Sequence, residues 1–279
     1  MAYTAEISRS NPSCFIFLLD QSASMLDEVA EGELVRRKAD VVADALNRLL
    51  RELAIKCAKE GGVRDYFHVA VIGYGVRVGS LFEGELSGRD LVPLSQVAKY
   101  PARVEERMKK IPDGAGGLVE QPTKFPVWVE PLGNHGTPMV EALRQATVLA
   151  NTFLATNENC FPPVVLNLTD GQSTDGDPRP TAEALRELAS TDGNVLLFNL
   201  HVSSEGGTPT IFPGASAELN DEYARTLFSM SSPLPPHMRA YAAQQGIAVD
   251  DTSRGFVYNA DMITIVQFLD IGTRATDLR

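Results

Sequence analysis

Basic residues are the scarcer charge in this chain: 25 Lys and Arg stand against 36 Asp and Glu, giving a net charge of −11. Phosphate backbones and anionic bilayer surfaces repel such a chain, which argues against general nucleic-acid binding and against docking on a membrane. Cysteine is equally scarce. Cys14, Cys57 and Cys160 are odd in number, far apart and set among apolar residues. That spacing offers neither a disulfide framework nor a zinc site, and it reads as buried thiols in a reducing compartment. No apolar stretch approaches the ~18–20 residues of a membrane-spanning helix. The opening MAYTAEISRSNPS has no basic segment leading into an apolar one, so no secretory signal is read there and the cytoplasm is the expected location. Gly-x-Ser-x-Gly and a Gly-rich phosphate loop ending Lys-Ser/Thr are both missing.

What is present is a core-former. Of 279 residues, 44% are hydrophobic, enough for one sizeable core, and 1–279 reads as a single domain. Residues 14–20 (CFIFLLD) form a continuous apolar run closed by an acid, the pattern of a strand buried on both faces. Residues 33–59 carry helical spacing, with Leu34, Val41, Val42, Ala45, Leu46, Leu49, Leu53 and Cys57 on one stripe and Gly61-Gly62 as the stop. A strand follows at 66–74, turning through Gly75 into a shorter one at 76–82. A helix bent or split at Pro101 is expected over 95–110. Residues 111–136, broken by Gly114, Gly116, Gly117, Pro122, Pro126 and Pro131, read as a surface insertion with KFPVWVE as a short edge strand. A helix is expected at 138–155, with Pro138 in its first position and Thr137 as N-cap. Further strands are read at 163–170, 193–202 and 254–260. Helices are read at 181–190, 221–229, 236–245 and 261–273, with a Gly/Pro/Ser-rich loop at 203–220. This alternation predicts an α/β fold: a doubly wound, mostly parallel sheet of about six strands with helices on both faces.

In such a sheet, functional groups collect where the carboxyl ends of strands meet the following loops. The first strand ends Asp20-Gln21-Ser22-Ala23-Ser24, and a later one ends Thr169-Asp170-Gly171. Between them Gly136-Thr137 opens a helix. These loops deliver the carboxylates of Asp20 and Asp170 and the hydroxyls of Ser22, Ser24 and Thr137 to one edge. All are hard oxygen donors, which suit Mg²⁺ or Mn²⁺ rather than zinc or copper. The donors leave part of an octahedral shell to water and an outside ligand, so the ion can accept a carboxylate from a partner protein.

Asp-x-Ser-x-Ser at Asp20, Ser22 and Ser24, a downstream Gly-Thr at Thr137 and an apolar strand ending Thr-Asp-Gly at Asp170 resemble the metal-ion-dependent adhesion site of von Willebrand factor A domains. The order and spacing of the three loops match, and the strand–helix alternation resembles that fold over nearly the whole chain. The resemblance implies that Ser22, Ser24 and usually Thr137 touch the metal directly, with Asp20 and Asp170 bound directly or through water. It implies a protein-interaction module. The phrasing FLLDQSASM and NLTDGQSTDGDP also resembles cytosolic bacterial members of tellurium-resistance type. These are found with a protein kinase or a metal-dependent protein phosphatase in stress or defence gene sets, which makes such proteins candidate partners.

Other residues have two readings each. His135 is a turn residue or a pH-responsive contact on the partner face. His68 and His201 read as satisfied structural residues in strands. Asp27, Glu28 and Glu31 read as the acid-rich start of a helix, with a second ion site or a negative rim as alternatives. Asp175 and Asp177 read as a turn cluster. Trp128, with Phe125 and Val127, is either a binding anchor or a pin holding the insertion to the core. Two alternative functions remain: a Mg²⁺-dependent phosphoester hydrolase, and a scaffold with a lapsed site.

Overall fold

The computed structural model describes residues 3–31, 34–112, 117–202, 208–216, 219 and 221–273. Gly114 and Gly116 of the expected insertion, and part of the 203–220 loop, lie outside them.

In chain order the elements are β1 (Ser13–Asp20), β2 (Glu28–Glu31), β3 (Leu34–Arg37), α1 (Lys38–Lys56), β4 (Phe67–Tyr74), β5 (Val78–Ser80), β6 (Val92–Pro93), α2 (Leu94–Lys99), β7 (Arg103–Pro112) and β8 (Leu118–Val127). Then come α3 (Met139–Leu154), β9 (Val164–Thr169), α4 (Arg179–Glu187), β10 (Leu196–Val202), β11 (Thr210–Ile211), α5 (Glu222–Met230), α6 (Pro236–Gln244), β12 (Phe256–Ala260) and α7 (Met262–Gly272). The main sheet has the order β11-β12-β10-β9-β1-β4-β5, with β6 also on β4. The neighbours from β12 to β4 are parallel, and β5, β6 and β11 are short antiparallel additions. The expected doubly wound α/β sheet is therefore present, with eight strands rather than six.

Side chains alternate across β1 and split the core into two layers. Phe15, Phe17 and Leu19 pack with α1, α2, α6 and α7. Cys14, Ile16 and Leu18 pack with α3, α4 and α5. Burial on both faces is what the unbroken apolar run requires. From β1 the chain crosses to β4 on one side. After α3 it returns to β9 on the other, so β1 and β9 flank a topological switch point with their carboxyl ends side by side. All three cysteines are buried and unpaired.

Several expectations are corrected. The helix does not begin at 33: Glu28–Glu31 pairs antiparallel with Leu34–Arg37, and the Lys38 amide donates to the Asp27 carbonyl at 3.0 Å, closing the base of the pair. Asp27 thus precedes β2, Glu28 and Glu31 lie within it, and none of the three starts a helix. Leu34 lies in β3. The helix stops at Lys56, and Gly61 and Gly62 instead turn a small hairpin, both at positive φ. The helix expected over 95–110 ends at Lys99, ahead of Pro101, because proline cannot continue it. Arg103–Pro112 and Leu118–Val127 pair antiparallel as β7 and β8, which take up much of the expected insertion. Only Lys124, Phe125, Pro126 and Val127 of the segment predicted as an edge strand belong to β8.

Trp128 is a pin. It is buried, its indole N–H donates to the Val97 carbonyl at 2.6 Å, and the Asn47 carboxamide bonds the Trp128 amide, the Val129 amide and the Val129 carbonyl. Ion pairs of Asp44 on α1 with Arg36 (2.6 Å) and Arg107 (3.0 Å) tie both hairpins to the same helix.

Candidate metal centre

The loop after β1 begins with a buried acid. Asp20 is only 2% exposed. Its Oδ1 accepts from the Ser22 amide at 2.7 Å, and its Oδ2 accepts from the Thr169 hydroxyl at 2.6 Å. These bonds lower its pKa, but burial outweighs them and, with repulsion from Asp170, lifts the carboxyl to about 6. Ser22 and Ser24 share a hydroxyl contact of 3.0 Å. Both hydroxyls lie on Asp170 Oδ1, at 3.4 Å from Ser22 and 2.8 Å from Ser24. Asp20, Ser22, Ser24 and Asp170, which come from two strands' ends, thus form one connected cluster.

Thr137 is drawn to the same edge through its backbone. The Asn134 amide donates to the Gln21 carbonyl at 2.6 Å, and the Ala23 amide donates to the His135 carbonyl at 3.0 Å. On its other side, the Thr137 amide donates to the Thr174 hydroxyl at 2.9 Å, and the Thr174 amide returns to the Thr137 carbonyl at 2.9 Å. Gly136 permits this approach, since a Cβ there would lie 2.9 Å from Thr174 Oγ1. Thr137 is buried and stands between the two acidic loops.

The helical start differs from expectation. Pro138 occupies the cap position and α3 begins at Met139. The cap is supplied by Asp175, whose oxygens accept from the Val140 amide at 3.0 Å and the Glu141 amide at 2.9 Å. That role replaces the simple turn reading of Asp175, and it locks the loop after Asp170 onto the helix after Thr137. Asp177 pairs with Arg179 at 2.8 Å. His135 is exposed and adopts φ +65°, as a turn residue does, while its carbonyl holds the Ser22 loop. His68 and His201 pack against Phe153 and Tyr258. Contrary to the expectation of satisfied side chains, Nδ1 of each has no hydrogen-bond partner among the described residues.

One charged group was not foreseen. Lys38, the first residue of α1, is buried, and its ammonium sits 2.8 Å from Asp170 Oδ2 and 3.7 Å from Asp27. Thr169 and Thr174 were likewise missed as partners of Asp20 and Thr137. The sequence did hold a signal for Lys38, which falls three and four residues before Val41 and Val42, on the apolar stripe.

The donor set fits a hard divalent cation. Each serine hydroxyl can donate to a carboxylate and still offer lone pairs outward. No group of three or more His, Cys, Asp or Glu suited to a metal occurs among the described residues, so an ion here depends on the hydroxyls. The Lys38 ammonium shows that these oxygens already attract a cation.

No family model matches the chain, and no curated protein matches it. Among solved structures, proximal thread matrix protein 1 from the mussel byssus is similar at 14% identity and a TM-score of 0.46, over 94% of this chain and 47% of that one. A second structure of that protein, described as having a zinc occupied MIDAS motif, gives 15% identity and a TM-score of 0.41 over 81% and 40%. The vWF domain of the type V pili tip protein Mfa5 from Porphyromonas gingivalis gives 14% and 0.32 over 58% and 39%. The chain spans less than half the length of each of these proteins. The class, an α/β sheet with a cluster of hydroxyl and carboxylate oxygens at its carboxyl edge, rests on the strand order and the hydrogen bonds above.

Proposed function

We propose that this chain is a von Willebrand factor A-type interaction module that holds one divalent ion, Mg²⁺ or Mn²⁺, through Asp20, Ser22, Ser24, Thr137 and Asp170. The observation that carries the reading is the linked cluster in which the Ser22 and Ser24 hydroxyls lie on Asp170 while the Ser22 amide holds Asp20. When bound, the ion supplies an electrophile for a carboxylate of a partner protein. The chain's own residues orient that electrophile, and the buried Asp20 and Asp170 keep most of the negative charge behind it. Binding, not turnover, is the proposed activity: neither serine hydroxyl is bonded to a histidine among the described residues, and the carboxylate both lie on, Asp170, is one the reading assigns to the ion.

The resemblance makes a cytoplasmic protein kinase or metal-dependent phosphatase of a bacterial stress or defence set the first partners to try. The structure has no helix long and apolar enough to cross a membrane among its described residues. The experiment is capture of partners from host extract by wild type and Asp20→Ala, each in Mg²⁺ and in EDTA. A partner held by wild type in Mg²⁺ and lost in the other conditions is expected. Equal capture in EDTA contradicts the reading.

A further inference from the structure

A buried lysine at the first position of a helix breaks two local rules. Burial disfavours its charge, and the helix N-terminus repels a cation. Lys38 is in this position, with its side chain 5% exposed, and the facing Asp170 side chain is 0% exposed. Violations of this kind persist where a specific partner compensates them. Here the compensation is the 2.8 Å contact with Asp170 Oδ2, while Asp170 Oδ1 is held by Ser24. Lys38 is itself fixed in place: its amide bonds the Asp27 carbonyl at the base of the β2–β3 hairpin.

We infer that Lys38 is a tethered counter-cation of the metal centre, antagonistic to the divalent ion. This rests on the metal-site reading above. Without metal, its single positive charge neutralises Asp170 and keeps the two acidic loops together. With metal, the same charge opposes the ion's approach to Asp170 and raises the concentration at which the site loads. The site then responds to divalent-ion level, and the local charge left over after loading is more positive than the two carboxylates alone would give. That surplus favours an acidic partner over a neutral one.

The test is Mn²⁺ titration, read by the electron paramagnetic resonance of free Mn²⁺, on full-length wild type, Lys38→Met, Lys38→Gln and Lys38→Arg. Met removes charge and donor, Gln keeps a donor without charge, and Arg keeps the charge. Removal of one positive charge a few ångströms from the ion is expected to tighten binding about tenfold or more in the Met and Gln variants. The Arg variant should stay within about threefold of wild type, a change worth well under one charge contact. In EDTA, the Met variant should melt below wild type, because Asp170 is left buried without its partner, and Mn²⁺ should restore more of its melting temperature than it adds to wild type. If Lys38→Met fails to fold without metal, Lys38→Gln carries the comparison. Equal or weaker Mn²⁺ binding in the uncharged variants overturns the role of Lys38 and leaves the metal centre standing. Absence of binding in wild type and every variant overturns both.

Discussion

Asp20 shows at the scale of a single residue what burial costs a carboxylate in this cluster. It is surrounded by donors, yet burial and the nearby Asp170 raise its pKa to about 6. A carboxyl whose folded pKa lies above its unfolded value holds a proton that the unfolded chain releases. Above pH ~6 the folded state must therefore carry an unfavourable charge, and that cost fades as pH falls toward the unfolded value near 3.8. A shift of this size corresponds to roughly 2–3 kcal/mol. Urea unfolding in EDTA should show wild type gaining stability relative to Asp20→Asn as pH is lowered from 7 to 4.5. A flat difference between the two would place the pKa near its ordinary value. That Asp20, Ser22, Ser24 and Asp170 come together was legible from the sequence, because their types and strand-end positions are local features. The stripe position of Lys38 was readable but its partner was not: the contact with Asp170 spans 132 residues, and only the fold brings the two together.

At the scale of elements, the buried strands and the long helices were readable because continuous apolar runs and 3.6-residue spacing are strong signals. The hairpins were not. The residues of 28–37 and 103–112 mix charge with isolated apolar side chains, and their pairing partners are set by closure at Asp27–Lys38 and by ion pairs to Asp44. Asn47 on α1 joins these pieces, holding both amides of Trp128 and Val129 and the Val129 carbonyl. Asn47→Ala leaves buried backbone groups without partners and should cost about 2–4 kcal/mol. Its urea midpoint should fall, and the mobility of the Trp128 fluorescence should rise. An unchanged midpoint would show that the β7–β8 hairpin is held by its ion pairs instead. Because Asn47 lies away from the acidic cluster, its loss should alter stability far more than metal affinity.

For the molecule as a whole, the net charge of −11 and the sheet topology act together. The global field repels acidic partners, while the switch point between β1 and β9 gathers Asp20, Ser22, Ser24 and Asp170 into one place, where the proposed cation would reverse that field. The loops on either side are fastened to each other by Thr137–Thr174 and by Asp175 at the start of α3. The cluster is therefore part of the architecture and not an appendage to it. The most direct measurement is anomalous X-ray scattering from crystals grown with Mn²⁺. The account predicts one peak per chain, within coordination reach of oxygens from Ser22, Ser24 and Thr137 and directly or through water of Asp20 and Asp170. A peak elsewhere, or none at millimolar Mn²⁺ with the Lys38–Asp170 contact intact, would contradict it.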